Sequence, residues 1–62
     1  MVQERLSAYV KDMGIKQKSI ADKTGMTEVA VSCAMRGERR LSADEFCAIC
    51  DAIDKPMDFF RN

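Results

Sequence analysis

The chain has 62 residues, with ten acidic side chains, ten basic side chains and no histidine. A chain of this length is close to the lower limit for independent folding and buries only about 60% of its unfolded surface. We therefore expect a single domain over residues 1–62, without a deep catalytic cleft. The hydrophobic fraction of 47% favours a compact core over a disordered chain. No apolar run approaches about 20 residues and no signal-peptide pattern occurs, so we expect a soluble cytoplasmic protein with no membrane contact.

The charges balance in total but are unevenly distributed. Residues 1–40 carry eight basic and five acidic side chains, whereas residues 41–62 carry two basic and five acidic ones. Such an asymmetry would orient the N-terminal two-thirds toward a polyanion such as nucleic acid. The alternative is that most of these charges only solvate the surface.

Helix signals recur along the chain, and the alternating patterns typical of strands are absent. The spacing of Leu6, Tyr9, Val10 and Met13 follows one face of a helix, and Gly14 is suited to end it. This pattern predicts a first helix that buries all four side chains.

Two short helices separated by a glycine are predicted next. Residues 16–24 form the first of them, and Gly25 can adopt the left-handed conformation that closes a helix. Thr27 is a good N-cap for the following helix, which extends to about Arg36. Two helices joined by such a turn are typical of a helix-turn-helix, here at about residues 16–37.

The third helix has two unlike faces when its residues are placed at about 100° intervals around the axis. Val31, Ala34 and Met35 lie together on one side, which fits a core. The opposite side is small or polar and fits the major groove of B-DNA, where base edges can be distinguished. It consists of Glu28, Val29, Ser32, Cys33 and Arg36.

Ser42 and Glu45 form a capping-box pattern that predicts a fourth helix. Its predicted buried residues are Phe46, Ile49, Cys50 and Ile53. Pro56 suits the start of a final short helix that places Met57 and Phe60 in the core. The whole pattern predicts an all-α fold of five short helices around one core.

With these elements in place, the sequence resembles a known family. The segment IKQKSIADKTGM (residues 15–26) and the spacing of Gln17, Ala21, Gly25 and Val31 are similar to Cro/C1-type, lambda repressor-like helix-turn-helix domains. The resemblance covers residues 6–60, since LSADEFCAICDAIDKPMDFF is similar to the fourth and fifth helices of that family. It implies sequence-specific binding of double-stranded DNA by a homodimeric, prokaryotic or phage-encoded transcriptional regulator, most simply a repressor, that requires no cofactor and no metal.

The resemblance also implies roles for individual residues. Positions that face base edges or nearby phosphates are occupied by Thr27, Glu28, Val29, Ser32 and Cys33. Positions that contact the phosphate backbone, and that supply affinity without sequence reading, are occupied by Gln17, Lys16, Lys18, Arg36, Arg39 and Arg40.

Several residues depart from the family pattern. Lys16 replaces the usual Ser or Thr cap of the second helix, and Asp54 stands where a glycine is usual. Glu28 would bring a carboxylate to a polyanion; it either accepts a hydrogen bond from cytosine or weakens DNA binding. Val10 and Met35 stand where many relatives pair an arginine with a glutamate, and we expect these two apolar side chains to touch.

The cysteines favour a structural role over a metal or redox site. Cys47 and Cys50 form a CxxC pattern, but the chain offers three cysteines and no histidine, one ligand short of a structural zinc site. The pair also lies inside a predicted helix with no strand before it, unlike a thioredoxin motif. Cys33 is interpreted as a small residue of the groove-facing side, with a redox switch as the alternative.

No nucleophile and base are suggested, so an enzyme is not expected. The alternative function is a protein-interaction module on the same fold, antitoxin- or adaptor-like, which the zero net charge and Glu28 favour. Phe59 adjoins Phe60 and cannot share its core-facing side, so it lies either at the edge of the core or in a dimer contact. The four internal methionines are expected to fill the core.

Overall fold

A computed structural model describes residues 2–61 and contains four α-helices and one 3-10 helix. The α-helices are α1 (Val2–Asp12), α2 (Gln17–Thr24), α3 (Glu28–Met35) and α4 (Ala43–Ala52), and the 3-10 helix is Met57–Phe60. The predicted all-α fold is confirmed, since residues 2–61 contain no strand. The predicted fifth helix is corrected to a 3-10 turn, because four residues allow only single-turn bonds such as Phe59 N–H to Pro56 O at 3.1 Å.

The helix ends follow from local chemistry, as the sequence predicted. Gly25 closes α2 at a φ of 78°. Thr27 caps α3 by accepting a hydrogen bond from the backbone N–H of Ala30. Ser42 and Glu45 complete a capping box at the start of α4. Lys16, by contrast, precedes α2 with no side-chain cap, which agrees with its departure from the family pattern.

The core lies where α1, α2, α3 and α4 meet beneath the 3-10 helix. Its buried residues are Leu6, Val10, Ile20, Ala21, Val31, Ala34, Phe46, Ile49, Cys50 and Phe60. Each α-helix contributes at least two of them. Detaching any one helix from the core would therefore expose buried apolar side chains to water. Burial of this face of α3 fixes which of its sides points outward.

The burial predicted for Met13 and Met57 is wrong. Met13 is 61% exposed, because it follows the last residue of α1 and the chain has already begun to turn. Ile15 packs against the core instead, with its N–H bonded to Val10 O. Met57 is 38% exposed, whereas Met26 and Met35 do pack against the core.

The remaining core predictions are refined by the structure. Ile53 and Tyr9 are partly buried at the core margin. Met35 packs against the cluster that contains Val10, and the two line one depression, while direct contact between them stays a prediction. Asp54 adopts a φ of 60°, as the family's glycine position required.

Phe59 and Phe60 play different parts at the C-terminus. Phe60 is buried. Its ring lies edge-on to those of Phe46 and Tyr9, with ring centroids 6.2 and 5.5 Å apart. Phe59 is 51% exposed; it packs edge-on against Tyr9 at 5.3 Å and lies under the Lys55 ammonium at 5.0 Å. Phe59 therefore lies at the edge of the core, and a dimer contact through its exposed side stays a prediction.

The three cysteines are free thiols in three environments. Cys50 is buried, as predicted, and burial raises the pKa of its thiol. Cys47 is exposed and Cys33 is half-buried. Within residues 2–61, no three His, Cys, Asp or Glu side chains group as metal ligands would. No helix in that part of the chain combines the length and apolar character needed to cross a membrane.

Candidate nucleic-acid interface

The two faces of α3 differ as the sequence predicted. Val31 and Ala34 are fully buried against α1 and α2. On the opposite side Glu28 is exposed and Val29 is 72% exposed, which is high for an aliphatic side chain in a 62-residue domain. A valine so placed stabilises no core, so its position is available for contact with another molecule.

The turn between α2 and α3 holds this face in place through short-range bonds. The Gly25 N–H donates to Ala21 O at 3.0 Å, and the Thr24 hydroxyl donates to Ile20 O at 2.8 Å. The Met26 N–H in turn donates to the Thr24 hydroxyl oxygen at 3.3 Å. These bonds hold the end of α2 and the turn that leads into α3 without using any side chain of the outer face.

The start of α2 and the outer face of α3 line one open groove of about 380 Å³. The lining residues are Gln17, Glu28, Val29, Ser32 and Arg36. Three predicted base-reading residues and two predicted phosphate-binding residues thus lie around one groove. Thr27 adjoins this groove as the exposed cap of α3, and Cys33 lies next to Ser32, half-buried.

Lys16 and Lys18 flank Gln17 at the first turn of α2, and both are exposed. The first turn of α2 has no acidic residue. The backbone N–H groups of a first helical turn lack acceptors within the helix, and together with the helix dipole they favour an anion. The beginning of α2 is therefore positive both from its side chains and from its backbone.

Arg36 is held against α3 by contacts that the sequence did not predict. Its Nε and Nη2 atoms donate to the two carboxylate oxygens of Glu38 at 3.1 and 3.3 Å. Its Nη1 atom donates to the Ser32 hydroxyl oxygen at 2.6 Å, and Nη2 also reaches the Cys33 sulfur at 3.6 Å. The hydrogen bond to Arg36 holds the pKa of the Glu38 carboxyl below its ordinary value.

Arg39 is also engaged, with Glu45 of α4. Its Nη1 and Nη2 atoms donate to the two carboxylate oxygens at 3.1 and 2.8 Å, and its side chain is 39% exposed. The bond from Arg39, with a further bond from the Ser42 N–H, lowers the pKa of Glu45 to about 2. Arg40 is exposed beside this pair. The three arginines predicted to bind phosphate thus differ in their surroundings: Arg36 is paired with Glu38, Arg39 is paired with Glu45, and Arg40 is exposed.

Gln3 is a structural residue that sequence reasoning missed. Its Nε2 atom donates to Ala34 O at 3.0 Å and to Arg39 O at 2.7 Å, and its Oε1 atom accepts from the Leu41 N–H at 3.1 Å. One side chain of α1 thereby fixes the segment that carries the three arginines. No local pattern could have revealed it, because its partners lie 31 to 38 residues away.

A second cleft of about 500 Å³ lies between α1 and the segment that follows α3. Lys11 of α1 lines it together with Arg36, Arg39 and Arg40. Lys11 adds to the basic excess of the N-terminal two-thirds, but the sequence did not predict that it belongs to the interface. Its basic character alone could not place it, since the packing of α1 against α3 decides which side of the helix borders the arginines.

Comparison with known proteins agrees with the helix-turn-helix arrangement of α2 and α3. A family model described as helix-turn-helix matches residues 6–60, nearly the whole chain. The model represents DNA-binding transcription regulators of the Cro/C1 type, also called the XRE family, which are not typically enzymes. No curated protein and no solved structure shows a significant match to the chain.

Proposed function

The chain belongs to the Cro/C1-type helix-turn-helix family, and on this premise we propose that it binds a specific double-stranded DNA sequence through the outer face of α3. One observation carries the proposal: the first turn of α2 and the outer residues of α3 line a single groove. A helix with an exposed, mostly small face fits the major groove, and a positive helix start beside it fits a phosphate.

The proposal divides the interface into two sets of residues. Thr27, Glu28, Val29, Ser32 and Cys33 are proposed to face base edges or the phosphates next to them. Gln17, Lys16, Lys18, Arg36, Arg39 and Arg40 are proposed to contact phosphates, which supplies affinity on any sequence. Val29 can pack on a thymine methyl group but can form no hydrogen bond through its side chain.

The proposed role is that of a cytoplasmic transcriptional regulator, most simply a repressor that occupies its operator as a homodimer. Dimeric helix-turn-helix proteins place two recognition helices about 34 Å apart, one helical turn of DNA. The exposed side of Phe59 is the proposed dimer contact, because it is the largest exposed apolar side chain near the C-terminus. The origin of the chain is proposed to be prokaryotic or phage-encoded, as for the family.

The test of DNA binding uses the parent protein and fluorescence anisotropy on a random 20-base-pair duplex at several salt concentrations. The logarithm of the binding constant should fall linearly with the logarithm of salt, with a slope of about −0.9 for each phosphate contact. Selection from a random duplex pool should then enrich one sequence. A parent protein that shows no salt-dependent binding and enriches no sequence would refute the proposal.

Glu28 provides the first prediction for this interface. Glu28→Ala should bind random DNA more tightly, because an exposed carboxylate no longer faces the phosphates. On the selected sequence the variant should lose about 1–3 kcal/mol of preference at one base pair, as expected for a lost direct contact. Anisotropy on selected and scrambled duplexes measures both effects. Unchanged discrimination would exclude Glu28 from base reading.

Protein interaction is the second candidate function, and one observation favours it. An open, largely apolar groove of about 660 Å³ is lined by Val2, Leu41, Phe46 and Met57 among others. Such a groove could receive an apolar segment of a partner protein. In that case Met57→Ser, at a side chain of this groove that is 38% exposed, would weaken partner binding, whereas neutralising Lys16 and Lys18 would not.

A further inference from the structure

Arg36 occupies a central position on the proposed DNA-binding side. It lines the groove of α2 and α3, the cleft beside α1, and a smaller depression of about 300 Å³ between them. No other side chain within residues 2–61 lines all three. The position of its guanidinium therefore affects the whole path that a phosphate backbone would follow across this side.

The guanidinium is nearly saturated by bonds within the protein. It carries five N–H donors, and four of them are used: two by Glu38, one by Ser32 and one by Cys33. Glu38 takes the Nε and Nη2 pair side by side. Two parallel N–H donors of this kind are also what arginine offers to a phosphate in a bidentate contact.

We propose that Glu38 competes with DNA phosphate for Arg36, so that its carboxylate limits the DNA affinity of the chain. The proposal rests on the proposed function, because it assigns Arg36 to the phosphate backbone. In the free protein the carboxylate occupies the donors that a phosphate would use. On binding, the phosphate displaces the carboxylate and takes its place beside the guanidinium.

The backbone around Glu38 holds its carboxylate next to Arg36, yet the ion pair is exposed enough for a phosphate to displace it. The Glu38 N–H donates to Cys33 O at 2.9 Å, and Gly37 adopts a φ of 78°, which together return the chain over the end of α3. Both side chains remain exposed, at 54% for Arg36 and 60% for Glu38. Exposed ion pairs are weak, so a phosphate can break this one, and the expected change in affinity is moderate.

The experiment is a double-mutant cycle measured by anisotropy on one duplex at fixed salt. Glu38→Gln keeps the shape of the side chain and removes its charge; it should bind about two- to five-fold more tightly than the parent, as expected for release from an exposed ion pair. The same change in an Arg36→Gln background should have a clearly smaller effect, because the competed group is gone and only the general loss of a negative charge remains. Asp51→Asn, an exposed carboxylate of α4, is the control for a general change in net charge.

The cycle separates competition from simple repulsion. If Glu38→Gln tightens binding equally with and without Arg36, the carboxylate only repels DNA and the proposal is wrong. If Glu38→Gln weakens binding or leaves it unchanged, Glu38 does not compete, and the proposal is equally overturned. Circular dichroism verifies that every variant is folded.

The proposed function is tested separately in the same series. Lys18→Gln should weaken binding, whereas Lys23→Gln, at the other end of α2 and directed toward Ala52 O, should change it little. If both lysine variants behave as expected while the cycle shows no coupling, DNA binding stands and only the role of Glu38 fails. If the parent itself does not bind, the proposed function fails with it.

Discussion

The two connections that flank α3 are held by different means. The turn before α3 is fixed by bonds between residues at most four positions apart, such as Gly25 N–H to Ala21 O and Thr24 hydroxyl to Ile20 O. The segment after α3 has local bonds as well, such as Glu38 N–H to Cys33 O, but it is also held by residues far away in sequence. Gln3 binds it at Arg39 O and at the Leu41 N–H. The end of α3 is held in the same way, because Gln3 also donates to Ala34 O and the Ser7 hydroxyl donates to Met35 O.

This difference indicates how the proposed DNA-binding side is built. The turn that leads from α2 into α3 is held by bonds among residues 20–30. The placement of the arginines after α3 depends on α1 being docked, because the amide of Gln3 supplies both donors and an acceptor. Base reading and phosphate binding would therefore respond differently to changes in α1.

Of the changes that loosen either connection, Gln3→Ala should cause the largest loss of stability. It removes three hydrogen bonds and leaves partly buried carbonyl and N–H groups without partners. We expect the free energy of unfolding to fall by about 2 kcal/mol, since part of each loss is recovered by water. Urea denaturation followed by circular dichroism measures this change.

Gln17→Ala is the matched control, because it makes the same change in the first turn of another helix. The Gln17 side chain lines the groove of α2 and α3 and is half-buried. Its loss should alter the free energy of unfolding by less than about 0.5 kcal/mol, the usual range for surface substitutions. It should nevertheless weaken DNA binding. Equal losses of stability in both variants would contradict the contrast between the two connections.

The local connection can be tested at its glycine. Gly25→Ala should cost about 1–2 kcal/mol, because an L-residue with a Cβ disfavours the left-handed conformation. A Cβ built there meets no atom within 4 Å, so the cost comes from the backbone alone. The reverse change, Asp54→Gly at a φ of 60°, should stabilise by a few tenths of a kcal/mol, since aspartate tolerates this conformation partly. If Gly25→Ala were neutral, the turn would not require its glycine.

The sequence predicted those parts of the fold that depend on neighbouring residues. Gly25, Thr27 and Ser42 mark helix ends through their own conformations and bonds, so their roles can be recognised without the structure. The prediction for Met13 was wrong because helical spacing predicts burial only while the helix continues, and α1 ends at Asp12. The final helix was predicted at the right place but not as a 3-10 helix, because spacing alone does not distinguish a single turn from an α-helix.

The candidate site likewise has features that the sequence could predict and features that it could not. The outer face of α3 could be predicted from helical periodicity, and the structure brings Glu28, Val29 and Ser32 to one groove with Gln17. The pairing of Arg36 with Glu38 could not, because residues two apart do not face each other in a helix and the bond depends on the turn at Gly37. Their charge alone could not show that Arg36 and Arg39 are paired with carboxylates while Arg40 is exposed.

The last expected effect concerns acid and the ion pair between Arg39 and Glu45. The pKa of Glu45 is about 2 in the folded chain, against an ordinary value of 4.5. A lowered folded pKa adds stability above the unfolded value, and that stability is lost as the pH falls through the folded one. Between about pH 5 and pH 2, the free energy of unfolding of the parent should therefore fall more than that of Glu45→Gln.

Glu45→Gln is an informative variant because glutamine can still complete the capping box with Ser42. The substitution therefore removes the charge and its pairing with Arg39 while the start of α4 is kept. Arg39→Gln should flatten the acid dependence in a similar way, since the bond from Arg39 is the main cause of the lowered pKa. Urea denaturation at half-unit pH intervals gives the free energy of unfolding of the parent and of the two variants as three curves. If the parent and both variants lost stability in parallel, the pair would not hold the segment after α3, and Gln3 would be its principal support.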